Sequence, residues 1–253
     1  MNEINSRLTD PKTVAAGRGA GWVTDGFGIF KSSPLAWIGA YIIFFILVMV
    51  ISLIPLLSVL LNIFFPVIMG GFMLGCREQE QGGAFRVDHL FAGFTQPCFG
   101  RLVILGVLFF VASILLVSLM ILIFGMLFFL MGGTGLIEQI QNGQVEQAFS
   151  DPRPILLACL IGALLAMPLL MAEWFAPALI TFQESSPVDA MVASFRGCLV
   201  NIMPFLVYGV VGFVLMIIAA LPLMLGYIVL LPVLTASVYT GYRDIFEEQN
   251  PAS

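Results

Sequence analysis

Two long stretches of this chain contain no Asp, Glu, Lys or Arg: residues 32–76, 45 in all, and residues 197–242, 46 in all. At ~1.5 Å per residue, one helix of that length would approach ~70 Å, against a bilayer hydrocarbon core of ~30 Å. Each stretch must therefore turn back on itself as a helical hairpin. Residues that break or relax a helix mark the expected turns: Pro55, Ser58 and Asn62 in the first, Pro222 and Gly226 in the second. Only 10% of the chain is charged and mean hydropathy is +1.06, whereas soluble domains carry about 25% charge. A single soluble domain, a disordered chain and a nucleic-acid binder are excluded on that ground. The chain is an integral membrane protein.

The middle is organised differently. An apolar core over Leu102–Met131 is followed by a polar segment, 132–153, which holds Glu138, Glu146 and Asp151. A second apolar stretch, Pro154–Phe182, is interrupted only by Glu173. These readings predict an all-α integral membrane fold with six spans, at 35–54, 57–75, 102–130, 155–182, 202–221 and 224–242. The chain divides into a flexible N-terminus (1–20), one membrane domain (21–242), a periplasmic polar segment (132–153) and a C-terminal tail (243–253).

Nine of the ten basic residues then fall on the side shared by both termini, with only Arg153 opposite. By the positive-inside rule both termini are expected in the cytoplasm, and acidic residues count little in that rule. No signal peptide is expected, because the first 34 residues hold no apolar core. Cys76, Cys98, Cys159 and Cys198 show no CxxC spacing and read as small apolar residues rather than disulfide partners.

A repeat runs beneath the spans. Thr24-Asp25-Gly26-Phe27-Gly28-Ile29-Phe30, Asp88-His89-Leu90-Phe91-Ala92-Gly93-Phe94 and Asp189-Ala190-Met191-Val192-Ala193-Ser194-Phe195 each precede a hairpin. Each opens on a residue suited to an N-cap, with apolar residues three and six places later. These segments are expected to be short amphipathic helices lying in the headgroup layer, aromatic face down. Phe30 to Pro66 is 36 residues and Phe195 to Pro232 is 37; Pro66 to Arg77 and Pro232 to Arg243 are both 11. The central pair, Phe94 and Pro177, is 83 apart, which implies an insertion. The chain thus reads as three parallel units, 22–77, 86–184 and 187–243.

The run Ala16-Gly17-Arg18-Gly19-Ala20-Gly21-Trp22, with Ser33-Pro34-Leu35-Ala36-Trp37-Ile38-Gly39 and Pro66-Val67-Ile68-Met69-Gly70-Gly71-Phe72-Met73-Leu74-Gly75-Cys76, resembles an uncharacterised family of six-span proteobacterial inner-membrane proteins. More distantly the chain is similar to YciC-like proteins and to the membrane domain ahead of some glycerophosphodiester phosphodiesterases. The resemblance implies a bacterial inner membrane and supplies no catalytic residues; the phosphodiesterase domain itself is absent.

Few residues carry candidate chemistry. Glu173, beside Trp174, lies nine positions before Phe182, ~14 Å along a helix and so near mid-membrane. It reads either as a proton or ligand site or as a carboxyl bonding a neighbouring helix. Gly71 and Gly75 form a GxxxG that permits close helix packing, within the chain or between copies. Arg18, Lys31, Arg77, Arg86, Arg101, Arg196 and Arg243 are candidates for contact with anionic headgroups. His89, the single histidine, is expected as an interfacial surface residue, and Gly17, Gly19 and Gly21 as a flexible lead. No cofactor or metal site is expected. The expected function is non-enzymatic: a scaffold, an accessory subunit or a component of envelope lipid homeostasis, with membrane lipids and other membrane subunits as partners and no nucleic acid. The alternative is a small-solute or lipid transporter with Glu173 between repeats.

Overall fold

The computed structural model describes residues 10–130, 141–142 and 153–247. Among them there is helix and no strand. The described helices are α1 (Arg18–Ser32), α2 (Pro34–Ser52), α3 (Pro55–Glu80), α4 (His89–Ala92, continued by a 3-10 turn over Gly93–Thr95) and α5 (Phe99–Leu130). After them come α6 (Arg153–Trp174), α7 (Ala176–Gln183), α8 (Pro187–Val200), α9 (Ile202–Ala220) and α10 (Tyr227–Phe246). Proline opens α2, α3, α7 and α8 within their first two positions, where its missing N–H costs nothing. Ser186 caps α8: its Oγ accepts the Asp189 amide at 3.2 Å and its hydroxyl donates to Asp189 Oδ2 at 2.6 Å. Left-handed residues end two helices, Gly82 (φ 87°) after α3 and Glu184 (φ 52°) after α7.

Among the described residues, five segments are long and apolar enough to cross a membrane: Pro34–Ser52, Leu57–Glu80, Phe99–Leu127, Leu156–Gln183 and Ile202–Ala220. The sixth expected span, 224–242, falls on α10, which does not meet that standard. Its second half carries Thr235, Ser237, Tyr239, Thr240 and Tyr242, all buried against protein. Two turn positions also differ from expectation. The α2–α3 turn lies at Leu53–Ile54, and Ser58 and Asn62 are inside α3.

The chain forms two compact units, one of residues 1–108 and 171–253 and one of residues 109–170. The second consists of the outer parts of α5 and α6, whose Leu115, Leu122, Leu160 and Leu164 are more than 60% exposed. Its polar segment, 132–153, lies almost wholly outside the described residues.

The first unit holds the core. Its largest fully buried side chains are Trp22, Trp37, Phe72, Phe175, Tyr239, Tyr242 and Phe246. Most of these belong to helix ends near the described chain termini, called here the terminal face. Three short helices build this layer. Helix α1 packs along α10 and α9, α4 packs on α3, and α8 packs on α7. Helices α4 and α8 thus each dock on the helix that precedes them, and α1 docks on the last described helix.

Close approach depends on glycine. A Cβ on Gly26 would lie 2.8 Å from the Val233 carbonyl oxygen and 2.8 Å from the Ser237 amide. Gly93 abuts the Val67 carbonyl in the same way. Val67 follows Pro66 and Val233 follows Pro232, so the contacts match on the return helices, while Gly26 is third and Gly93 sixth in their lead segments.

This packing corrects one part of the expected outward aromatic face: Phe30 is buried. The buried face of α1 is Gly19, Trp22, Val23, Gly26 and Phe30, a helical stripe turned into protein. Phe27, Phe91, Phe94 and Val192 stay exposed. Nor is Thr24 an N-cap: α1 begins six residues earlier, at Arg18. The expected flexible glycines, Gly19 and Gly21, are part of that helix, and Gly19 abuts the Pro204 carbonyl of α9.

Candidate functional site

The terminal face gathers charged side chains that are far apart in sequence. Asp244, near the end of α10, has a side chain only 3% exposed. Its Oδ2 accepts from Arg18 Nε at 2.6 Å and from the Trp22 indole N–H at 2.9 Å. Arg18 also donates to Asp25 at 2.9 Å. The bond to Asp244 opposes the cost of burial and raises the Arg18 pKa, with Asp25 adding to it. Arg243 pairs with Glu80, and the Tyr239 hydroxyl donates to the other Glu80 oxygen at 2.5 Å. Burial works against the Arg243 charge, but Glu80 and Asp244 outweigh it and leave its pKa raised. Arg77 pairs with Glu247 and lies 3.5 Å over the Phe182 ring.

Beneath this network the N-terminal segment is tied down. Asn201, 1% exposed, accepts the Val14 amide on Oδ1 at 2.9 Å and donates from Nδ2 to the Lys12 carbonyl at 2.8 Å. The Lys12 amide donates to the Ile245 carbonyl at 2.9 Å. Residues expected to form a flexible lead are therefore held from Lys12 onward.

The other expected contacts divide. Arg86 is 63% exposed and pairs with Asp88 at 3.2 Å, and that bond raises the Arg86 pKa and lowers that of Asp88. Arg101 donates to the Glu184 carbonyl. Lys31 and Arg196 are exposed and have no polar partner among the described residues. The basic collar thus divides: Arg18, Arg77 and Arg243 are neutralised within the protein, Arg101 is tied to a backbone carbonyl, and Lys31, Arg86 and Arg196 lie on its surface.

Gly71 and Gly75 face α4. A Cβ on Gly71 would strike the His89 carbonyl, and one on Gly75 would lie 2.5 Å from the Phe85 ring. The GxxxG is therefore covered by this chain's own α4. The same contact corrects His89, which is 5% exposed rather than a surface residue. Its Nδ1 accepts the Arg86 amide at 2.9 Å, so Nε2 carries the proton and donates to Glu78 at 2.8 Å. A stack of Trp37, Phe85 and Phe72 fixes the preceding loop, with Trp37 and Phe85 centroids 4.0 Å apart.

Glu173 lies inside the apolar segment Leu156–Gln183. It occupies the last turn of α6, just before the break at Phe175 that Pro177 follows. The Phe175 amide, free of the helix, donates to Ser194 Oγ on α8 at 2.9 Å. Trp174 stands 5.8 Å from the Phe205 ring. Phe205 is four residues beyond Asn201, so this level is about one turn, ~6 Å, beneath the N-terminal segment. Glu173 is half-buried and makes no hydrogen bond or ion pair among the described residues.

Asp25, Glu80, Asp244, Glu247 and Asn201 were not singled out from the sequence. A usable signal exists for two: Glu80 and Glu247 follow Pro66 and Pro232 by 14 and 15 residues, an acidic counterpart to the matched arginines. Among the described residues no three His, Cys, Asp or Glu side chains converge to hold a metal ion.

No family model matches the chain, and no solved structure matches it. A curated relative, a probable inner membrane protein of Burkholderia thailandensis (strain ATCC 700388), is 30% identical over 268 residues, covering 95% of each chain. At that identity and coverage the chain belongs to the same family, and it is a multi-span inner membrane protein.

Proposed function

We propose that the protein is a non-enzymatic membrane scaffold or accessory subunit acting in envelope lipid homeostasis. It would cross the inner membrane six times as three parallel hairpin units, with both termini in the cytoplasm. One observation carries this reading: the lead helices α4 and α8 dock on the helices before them, α3 and α7, and α1 closes the set against α10. Such a layer is a rigid platform. Its innermost arginines are neutralised by Asp25, Glu80, Asp244 and Glu247 rather than directed at a substrate. The carbonyls that follow Pro66 and Pro232 each receive a lead-helix glycine, which supports the repeat, and α10 would make the sixth crossing over its full 20 residues, its apolar first half toward lipid and its second half against protein. The likeness to YciC-like proteins belongs to the same proposal.

Crosslinking in native membranes followed by mass spectrometry tests the role. Recurrent membrane-protein or lipid adducts at the terminal face are expected; a chain that crosslinks to neither is no scaffold. A C-terminal reporter active only in the periplasm would reverse the topology.

The transporter reading keeps one specific support, the unpartnered carboxyl of Glu173 beside Trp174. If it holds, proteoliposomes should show solute or lipid movement that Glu173→Gln abolishes. Equal movement by the variant removes it.

A further inference from the structure

A cleft of about 770 Å³ opens between the end of α3 and the loop leading into α4, within the ~300–1,000 Å³ range of small-ligand sites. Its charged lining is balanced: Arg77 and Arg86 against Glu78 and Asp88. Arg77 is held away by Glu247 and the Phe182 ring, which leaves Arg86 as the available cation. The Arg86–Asp88 pair is more than 60% exposed on both sides, and such pairs contribute little and open readily. Glu78 is positioned from beneath. His89 Nε2–H holds one of its oxygens, and the imidazole is itself fixed by the Arg86 amide. The other oxygen is free to accept from a ligand in the cleft.

The cleft borders an apolar surface. Phe91 is 45% and Phe94 37% exposed, and Phe94 contacts Phe64 on α3 and Phe99 on α5, with centroids 5.6 and 5.8 Å away. A polar pocket with a cation and two carboxylates, beside exposed aromatics in a membrane protein, suits a lipid headgroup with its chains along the aromatics. One available cation against two carboxylates disfavours an anion and favours a headgroup that carries an ammonium beside its phosphate. Paired carboxylates favour a primary ammonium, which donates hydrogen bonds, over a quaternary one, which does not.

We propose that this cleft binds the headgroup of a phosphoethanolamine lipid, the phosphate on Arg86 and the ammonium on Glu78 and Asp88. The inference rests on the lipid-linked reading above but fails separately from it. The full-length protein, delipidated in detergent, is titrated with phosphatidylethanolamine, phosphatidylglycerol and phosphatidylcholine of identical chains and followed by native mass spectrometry. Phosphatidylethanolamine should be retained preferentially. Arg86→Gln, at a surface position outside the packing, should weaken it about fivefold, the value of one phosphate-facing cation. Glu78→Gln should erase the preference over phosphatidylcholine, and Asp10→Asn, outside the cleft, should change nothing. Equal retention of the three lipids, a preference for phosphatidylglycerol, or an unaltered preference in both cleft variants overturns the assignment and leaves the scaffold reading standing. Displacement by equimolar glycerophosphoethanolamine, which lacks chains, would make the ligand a soluble compound and overturn it too.

Discussion

Asn201 holds the Val14 amide at 2.9 Å across 187 residues of sequence, so the start of the described chain is anchored where α8 gives way to α9. The same side chain donates to the carbonyls of Lys12 and Gly197 at 2.8 and 2.9 Å. Itself almost fully buried, it satisfies three backbone groups, of which that of Gly197 is buried and those of Val14 and Lys12 are partly so. Asn201→Ala leaves them unpaired, at about 1–3 kcal/mol for a buried polar group. The expected result is a lower thermal midpoint in detergent together with rapid proteolysis near Lys12. A variant as stable and as resistant as the native chain would show that the N-terminal segment is held elsewhere.

Asp244 is the other anchor, because it ties α1 to α10 through Arg18 and Trp22. Its side chain is almost wholly buried while that of Arg18 is 38% exposed, so solvent screens part of the attraction. Asp244→Asn should destabilise by about 1–3 kcal/mol, below the range for a fully buried pair. The double variant with Arg18→Met should recover part of the loss, since it removes the cation left behind. Additive losses in denaturation of the two singles and the double would mean the residues do not act as a pair.

The membrane class was legible because charge-free runs admit few other structures, and α2 and α9, each 19 residues long, fit the bilayer core. The docking of the lead helices was not. Phe27 and Phe30 at helical spacing suggest a lipid-facing stripe, yet Phe30 is buried and Phe27 exposed. The informative residues were Gly19, Gly26 and Gly93, whose missing side chains admit a neighbouring backbone. The break at Phe175, just beyond Glu173, was not legible because an apolar run does not reveal where one helix ends and the next begins. Asp244 and Glu80 were passed over because topology rules discount acids, although here they neutralise the arginines those rules count. Asn201 has no local signature at all, since its partners lie near the other end of the chain.

The glycines of α1 separate packing from propensity. Gly26 abuts the backbone of α10, whereas Gly28 has open space where a Cβ would stand. Gly28→Ala should stabilise the helix by roughly 0.5–1 kcal/mol. Gly26→Val should cost about 3 kcal/mol, the upper end for overpacking, because the obstruction is backbone and cannot rotate away. Purified yield and thermal midpoint report both effects, and opposite signs are expected. Equal tolerance would mean that α1 does not seat on α10.

Cys198, on α8, links this packing to pH. Its thiol donates to the Met171 carbonyl at 3.5 Å, and burial pushes its pKa up from 9.0 to about 12. The thiolate is the reactive form, so maleimide should label Cys198 slowly in the folded protein at pH 8 and quickly once it is unfolded. The same shift makes stability fall with rising pH. Between pH 9 and about 12 the unfolded chain has released the proton that the folded chain retains, so alkali favours unfolding. Cys198→Ala should flatten that alkaline loss. Rapid labelling at Cys198 itself, read by peptide mapping apart from the exposed Cys159, or an unchanged alkaline profile in the variant, would place Cys198 in contact with water.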